Sequence, residues 1–102
     1  MNLLNQSQDI LEIETMIQQI DTEISFLINN LDEEIVAEIY IPAQTNIYSQ
    51  GNTVQIIFMI QGQTEVRTLS YSLPISIEGG ERTGFRELVG YIENDMVKLI
   101  IT

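Results

Sequence analysis

Hydrophobic residues in the first third of the chain recur at alternating intervals of three and four. This spacing places them on one stripe of an α-helix. Asn5 or Ser7 can cap the start of such a helix, and the tandem Asn29 and Asn30 suit its end. We therefore predict a helix over about residues 5–30. Its stripe consists of Ile10, Ile13, Ile17, Ile20, Ile24, Leu27 and Leu31.

Beyond this helix the period of the hydrophobic positions changes to two, which is typical of β-strands. Phe85 to Ile92 also fits a helical spacing, but Gly84 and Gly90 would weaken a helix, so we favour a strand there. Asn94 and Asp95 suit the tight turn of a hairpin. Glycines at 79 and 80 indicate a flexible turn. Strands are predicted at about residues 34–41, 53–60, 64–71, 86–93 and 96–101, with a short edge piece around 75–77.

The predicted fold class is α+β. One long N-terminal amphipathic helix packs on a four- to five-stranded antiparallel sheet, and residues 1–102 form a single domain. The 102 residues, 44% of them hydrophobic, are enough for a core of this kind.

The hydrophobic stripe of the helix has two interpretations. It can pack on the chain's own sheet, which is the ordinary fate of an amphipathic helix beside strands. It can also form a coiled coil, because Ile at both core positions of the heptad favours three or four helices. Carboxylates next to the stripe argue against the coiled coil, since like charges would meet with no Lys or Arg to pair them.

Some of the predicted strands are apolar on both faces. A single helix covers only one side of a sheet, so hydrophobic residues on the other side need a second covering layer. That layer can be a folded-over sheet, a second copy of the chain or a target. We favour a second copy, which makes a homo-oligomer, and a dimer in particular, the favoured assembly. The residues predicted to mediate self-association are Ile57, Met59 and Ile100.

Charge is distributed very unevenly along the sequence. The net charge is −11, and the first basic residue is Arg67, after ten carboxylates. Nucleic acids and anionic membranes bind through Lys and Arg, so this composition excludes direct nucleic-acid binding and disfavours a membrane surface. It favours a basic protein as partner, in particular one that binds nucleic acid.

If the stripe is buried, the helix carboxylates lie on or beside its opposite side and form a negative ridge. Such a run of charge is usually a solvated face that keeps a hydrophobic domain soluble. Mixed Lys and Glu pairs would serve solubility as well and would also stabilise the helix, so their absence points partway towards a role in binding. Tyr48 is added as an aromatic anchor in a predicted loop. The residues predicted to bind the partner are Asp9, Glu12, Glu14, Asp21, Glu23, Asp32, Glu33, Glu34 and Tyr48.

In its charge, its size and its lack of basic residues, the chain resembles DNA-mimic inhibitors such as anti-restriction and anti-CRISPR proteins. This resemblance lies in bulk character and in the helix segment. It implies a noncatalytic, phage-encoded inhibitor or regulator that presents carboxylates to the basic groove of a nucleic-acid-binding protein. The alternative function is a structural or assembly protein whose Ile-rich helix forms a trimeric or tetrameric stalk.

Other function classes find little support in the sequence. The chain has neither His nor Cys, which removes the commonest general base, the thiolate nucleophile and the usual zinc ligands. The adjacent acids at positions 32–34 do not converge on one metal ion in a helix or strand. We therefore predict a protein that is not an enzyme and has no metal or cofactor. Without cysteines, a signal peptide or a membrane-spanning stretch, it is expected in the cytoplasm, or in the host cytoplasm if a phage encodes it.

Overall fold

The structure is a computed structural model that describes the backbone of residues 3–102 and the side chains of residues 9–102. One helix is followed by seven strands. The elements are α1 (Leu3–Asn29), β1 (Glu34–Ile41), β2 (Asn46–Gln50), β3 (Thr53–Ile60), β4 (Gln63–Ser70), β5 (Ile75–Glu78), β6 (Gly84–Glu93) and β7 (Met96–Ile101). The predicted α+β class is confirmed.

The strands form two sheets rather than the single sheet predicted. The four-stranded sheet has the order β1-β6-β7-β5, and the three-stranded sheet has the order β2-β3-β4. The pairing of β5 with β7 is parallel, and every other pairing in these two sheets is antiparallel. The prediction of one wholly antiparallel sheet therefore needs correction in both respects.

Strand β2 was predicted as part of a polar loop. Its sequence, Asn-Ile-Tyr-Ser-Gln, holds only two large apolar residues, and local propensity there is weak. Antiparallel pairing with β3 places Ile47 opposite Ile56, and both side chains are buried. This tertiary pairing, and not the local sequence, makes the segment a strand.

The two sheets meet where β2 runs beside β5. The amide of Ile47 donates to the carbonyl of Gly80 at 2.9 Å, and the amide of Ile75 donates to the carbonyl of Gly51 at 2.9 Å. These backbone bonds join the sheets into one curved wall around α1. The helix closes the wall by contacting both far strands: Arg67 of β4 binds Glu14, and Gln19 Nε2 donates to the carbonyl of Glu38 in β1 at 2.7 Å.

The hydrophobic stripe of α1 lies inside this wall. Five of its seven predicted members are buried in the core, while Ile10 and Leu31 at its two ends are exposed. Met16 is buried as well and widens the contact with the sheets. The buried members are Ile13, Ile17, Ile20, Ile24 and Leu27. The stripe is therefore occupied by the chain's own strands, and the side chains that a coiled-coil stalk would need are not free.

Two hairpins depend on turns with positive φ. Asn94 and Asp95, between β6 and β7, have φ values of 54° and 60°. Gln61 and Gly62, between β3 and β4, have φ values of 54° and 76°. Consecutive positive φ values define a type I′ turn, whose twist matches that of the flanking strands. Asn and Gly adopt this geometry at low cost, so the turn sequences favour these strand pairs.

Candidate functional site

The helix carboxylates do not form the predicted ridge. With 3.6 residues per turn, Glu14 and Asp21 fall on one flank of the buried stripe, and Glu12 and Glu23 fall on the other. Asp9 falls in line with the stripe itself. Between the two flanks the solvent side of α1 carries uncharged residues, namely Leu11, Thr15, Gln18, Thr22, Phe26 and Asn29. The expectation of a continuous negative strip along the helix is therefore wrong.

Two of these carboxylates already have partners in the fold. Glu14 accepts from both terminal nitrogens of Arg67, at 2.5 and 3.3 Å, and Asp21 accepts from the hydroxyl of Tyr71 at 2.7 Å. The hydrogen bond to Glu14 raises the pKa of the Arg67 guanidinium. The pair is about half exposed, so it contributes at most about 1 kcal/mol. Glu14 thereby attaches the helix to β4, and Asp21 attaches it to Tyr71, the residue just after β4.

The hydrogen bond between Tyr71 and Asp21 predicts a pH dependence of stability. Burial, and then the bond to Asp21, raise the pKa of the Tyr71 phenol above its usual value near 10. A raised folded-state pKa favours folding below the unfolded pKa, and this contribution is lost as pH rises above it. Tyr71→Phe should therefore be less stable than the parent by about 1 kcal/mol at neutral pH, and raising the pH above ~10 should destabilise the variant less than the parent. Urea unfolding at several pH values checks this, with Tyr48→Phe as control.

The remaining predicted site residues lie apart from one another. Asp32 and Glu33 are exposed in the turn after α1, and Glu34 is the first residue of β1. Tyr48 lies in strand β2, not in a loop, and its side chain is exposed on the outer face of the three-stranded sheet. Among the residues whose side chains are described, no three carboxylates are grouped so that they could hold a metal ion.

The structure gathers carboxylates on a different surface, the outer face of the four-stranded sheet. Antiparallel and parallel register place five glutamates on this face with one cation, Lys98. All five are exposed. We call this surface, together with its apolar residues, the acidic face. Its glutamates are Glu34, Glu38, Glu78, Glu87 and Glu93.

Large apolar side chains stand among these carboxylates. Phe85 is 85% exposed and Val36 is 64% exposed, which are high values for hydrophobic residues in strands. The rings of Tyr40 and Phe85, directly opposite each other on β1 and β6, have centroids 4.8 Å apart in a tilted arrangement. Val36 continues across the sheet to Val89 and Ile100. These apolar groups lie uncovered on either side of Glu38 and Glu87, and exposed hydrophobic residues rimmed by charge are typical of interaction sites.

Two glutamates of the acidic face oppose each other directly. Glu38 on β1 is the register partner of Glu87 on β6. Like charges at this position destabilise a strand pair. Among the described side chains the single ion pair is that of Arg67 with Glu14, so neither glutamate forms an ion pair. A shallow depression of about 380 Å³ lies here, lined by Glu38, Phe85, Arg86, Glu87 and Thr102.

Arg86 lines this depression without pairing with the glutamates. Its Nε donates to the carbonyl of Thr83 at 2.7 Å, which directs part of the guanidinium towards its own loop. The unmatched negative charge of the depression therefore remains available to a cationic group from outside.

Sequence reasoning found part of this surface and missed the rest. The period of two placed Glu34, Val36, Glu38 and Tyr40 on one side of the first strand, but only Glu34 was proposed as a binding residue. Phe85 and Glu87 belong to the segment whose conformation was ambiguous. Their proximity to Glu38 depends on the register between β1 and β6, for which the sequence carries no local signal.

The described part of the chain contains no helix with the length and apolar character needed to cross a membrane. Comparison of the chain with protein-family models, with curated proteins and with solved structures finds no match. The class that the fold and its surfaces define is therefore an acidic α+β domain with an uncovered acidic and aromatic sheet face.

Proposed function

We propose that the protein is a noncatalytic binding module that takes a basic protein as its partner through the acidic face. The observation that carries this proposal is the set of exposed side chains Val36, Tyr40 and Phe85 among glutamates that form no ion pair in the described part of the chain. Aromatic residues dominate the energetics of protein interfaces, and carboxylates bind Arg in charge-assisted pairs. The partner segment would thus present Arg or Lys beside an apolar side chain.

The opposed pair of Glu38 and Glu87 supports this choice of partner. Their mutual repulsion costs folding free energy in the isolated chain, and a guanidinium placed between them would remove that cost. The net charge of −11 would also attract a basic surface from a distance and raise the association rate at low salt. Affinity should accordingly fall as salt concentration rises.

A more specific form of the proposal is an inhibitor of a nucleic-acid-binding protein, of the DNA-mimic kind. Phosphate-binding grooves are the commonest surfaces dense in Lys and Arg, and an acidic ligand can occupy them in place of nucleic acid. In this form the acidic face takes the role first assigned to the helix. The protein would act in the cytoplasm, which is the host cytoplasm if a phage encodes it, and nucleic acid should displace it from its target.

Neutralising the acidic face tests the proposal. The double variant Glu38→Gln with Glu87→Gln should weaken binding to basic proteins at least about tenfold, because each glutamate loses a charge-assisted hydrogen bond. The same variant should be slightly more stable than the parent, since the opposed charges are gone. Proteins captured at low salt from a nuclease-treated lysate by the immobilised parent would be purified and titrated against both forms.

The matched control is Asp32→Asn with Glu33→Gln, in the exposed turn after α1. Each double variant removes two negative charges, so the net charge of both changes from −11 to −9. The control should lose only the small, salt-dependent part of the affinity that long-range attraction supplies. Equal losses in the two variants, or capture of acidic proteins alone, would contradict the proposal.

The proposed self-association needs a correction, because its three predicted residues do not lie on one surface. Ile57 and Met59 lie on the outer face of the three-stranded sheet, whereas Ile100 lies on the acidic face. One interface between two copies cannot be centred on both surfaces. With the stripe of α1 buried, we propose that a dimer uses one outer sheet face.

A further inference from the structure

The outer face of the three-stranded sheet is an uncharged surface on a chain whose net charge is −11. Register places eleven side chains on this face, and none of the eleven, all of them described, is charged. We call it the neutral face. Its residues are Asn46, Tyr48 and Gln50 from β2, Thr53, Gln55, Ile57 and Met59 from β3, and Thr64, Val66, Thr68 and Ser70 from β4.

The centre of the neutral face is apolar. Ile57 lies directly opposite Val66, and Met59 follows on the same side of β3. Val66 is 55% exposed, and Met59 and Tyr48 are also exposed. These side chains form a hydrophobic strip that crosses two strands, with Tyr48 on the third. The helix covers the other side of this sheet, so the strip has no covering layer within the described chain.

Three of the polar residues beside the strip are hydrogen-bonded to one another. Thr68 Oγ1 donates to Gln55 Oε1 at 2.8 Å, and Gln55 Nε2 donates to Thr53 Oγ1 at 3.2 Å. Groups that are already hydrogen-bonded cost little to remove from water. Covering this part of the face with an uncharged surface therefore leaves these three side chains hydrogen-bonded.

We propose that the neutral face binds the neutral face of a second copy, giving a twofold symmetric dimer. Two copies with a net charge of −11 repel each other, and contact through the acidic face would bring ten glutamates together, five from each copy. The neutral face brings no carboxylates together. A twofold axis also requires a self-complementary surface, which an uncharged sheet face with an apolar centre provides.

The area of the neutral face limits the strength of this dimer. Eight residues along β3 at about 3.4 Å each and three strands about 4.8 Å apart give a footprint of roughly 27 by 14 Å per copy. This is small beside the ~800 Å² per partner of a standard stable interface. We therefore expect a weak, reversible dimer that forms only at high protein concentration. It leaves both acidic faces open to solvent, and so it is independent of the proposed partner binding.

Sedimentation equilibrium of the full chain over about 1 to 300 µM at moderate salt tests the dimer. The chain offers a matched pair of exposed strand valines: Val66 on the neutral face and Val36, 64% exposed, on the acidic face. Val66→Glu should raise the dissociation constant at least tenfold, and Val36→Glu should change it less than twofold. Both variants carry one added negative charge, so a difference between them reports the location of the interface.

A parent chain that stays monomeric over this range would overturn the proposal. So would a Val36→Glu variant that dissociates while Val66→Glu does not, since that result would place the interface on the acidic face. Circular dichroism of both variants would show whether the sheets are retained. If Val66→Glu proved unfolded, Thr68→Glu on the same face replaces it, with the same expected loss of dimer.

Discussion

Replacing Gly80 with alanine should destabilise the protein by about 3 kcal/mol or more, which is a large effect for one methyl group. Gly80 lies where strand β2 meets the segment after β5, and its carbonyl accepts the amide of Ile47. A Cβ atom at Gly80 would overlap the carbonyl oxygen of Ile47. Because the obstacle is backbone, it cannot rotate away, and relief requires the two sheets to separate.

Urea unfolding followed by circular dichroism measures this cost. The control is Gly62→Ala in the turn between β3 and β4, where a Cβ would meet nothing within 4 Å but φ is +76°. That control should cost only about 1 kcal/mol for the positive φ. If Gly80→Ala lowered the free energy of unfolding no more than Gly62→Ala does, the result would contradict the close contact between the two sheets.

The elements encoded by local signals could be predicted from the sequence. Strand β1 runs over Glu34–Ile41, the predicted range, because alternation and a following proline define it. Asn94 and Asp95 form the tight turn expected of them, since a turn needs only its own residues to adopt positive φ. In each case the determining interaction is contained within a few consecutive residues.

The division into two sheets could not be predicted, because it depends on contacts between distant segments. Glycines 79 and 80 were interpreted as a flexible turn, yet Gly80 is the point of closest approach between β2 and the chain after β5. The parallel pairing of β5 with β7 likewise has no local signal in the four residues of β5. The alternation of residues in a strand shows which side chains share a face, but it does not show which strand lies beside it.

The same limit explains why the helix carboxylates do not form one continuous strip. Counting carboxylates directed attention to the helix, where they are numerous in sequence but divided between two flanks in space. The acidic face is assembled from two glutamates on β1, one on β5 and two on β6, and β1 is far from the other two strands along the chain. Register, not composition, creates its opposed pair of Glu38 and Glu87.

The other large expected effect concerns the stripe of α1. Ile24→Ala should destabilise the protein by about 3 to 4 kcal/mol, because Ile24 is fully buried, at 0% exposure, and its truncation leaves a cavity between the sheets. In a stalk of parallel helices, by contrast, the same change would act mainly by dissociating the assembly. Chemical unfolding gives the loss of free energy, and sedimentation of the folded variant gives its mass.

Ile10→Ala is the matched control, since Ile10 belongs to the same stripe but is 43% exposed. Its truncation should cost less than about 1 kcal/mol, because little of the removed surface was buried. A coiled coil would make the two positions nearly equivalent, as both occupy core positions of the heptad pattern. Comparable losses at positions 10 and 24, together with a lower mass for both variants, would therefore show that the helix associates with other helices instead of its own strands.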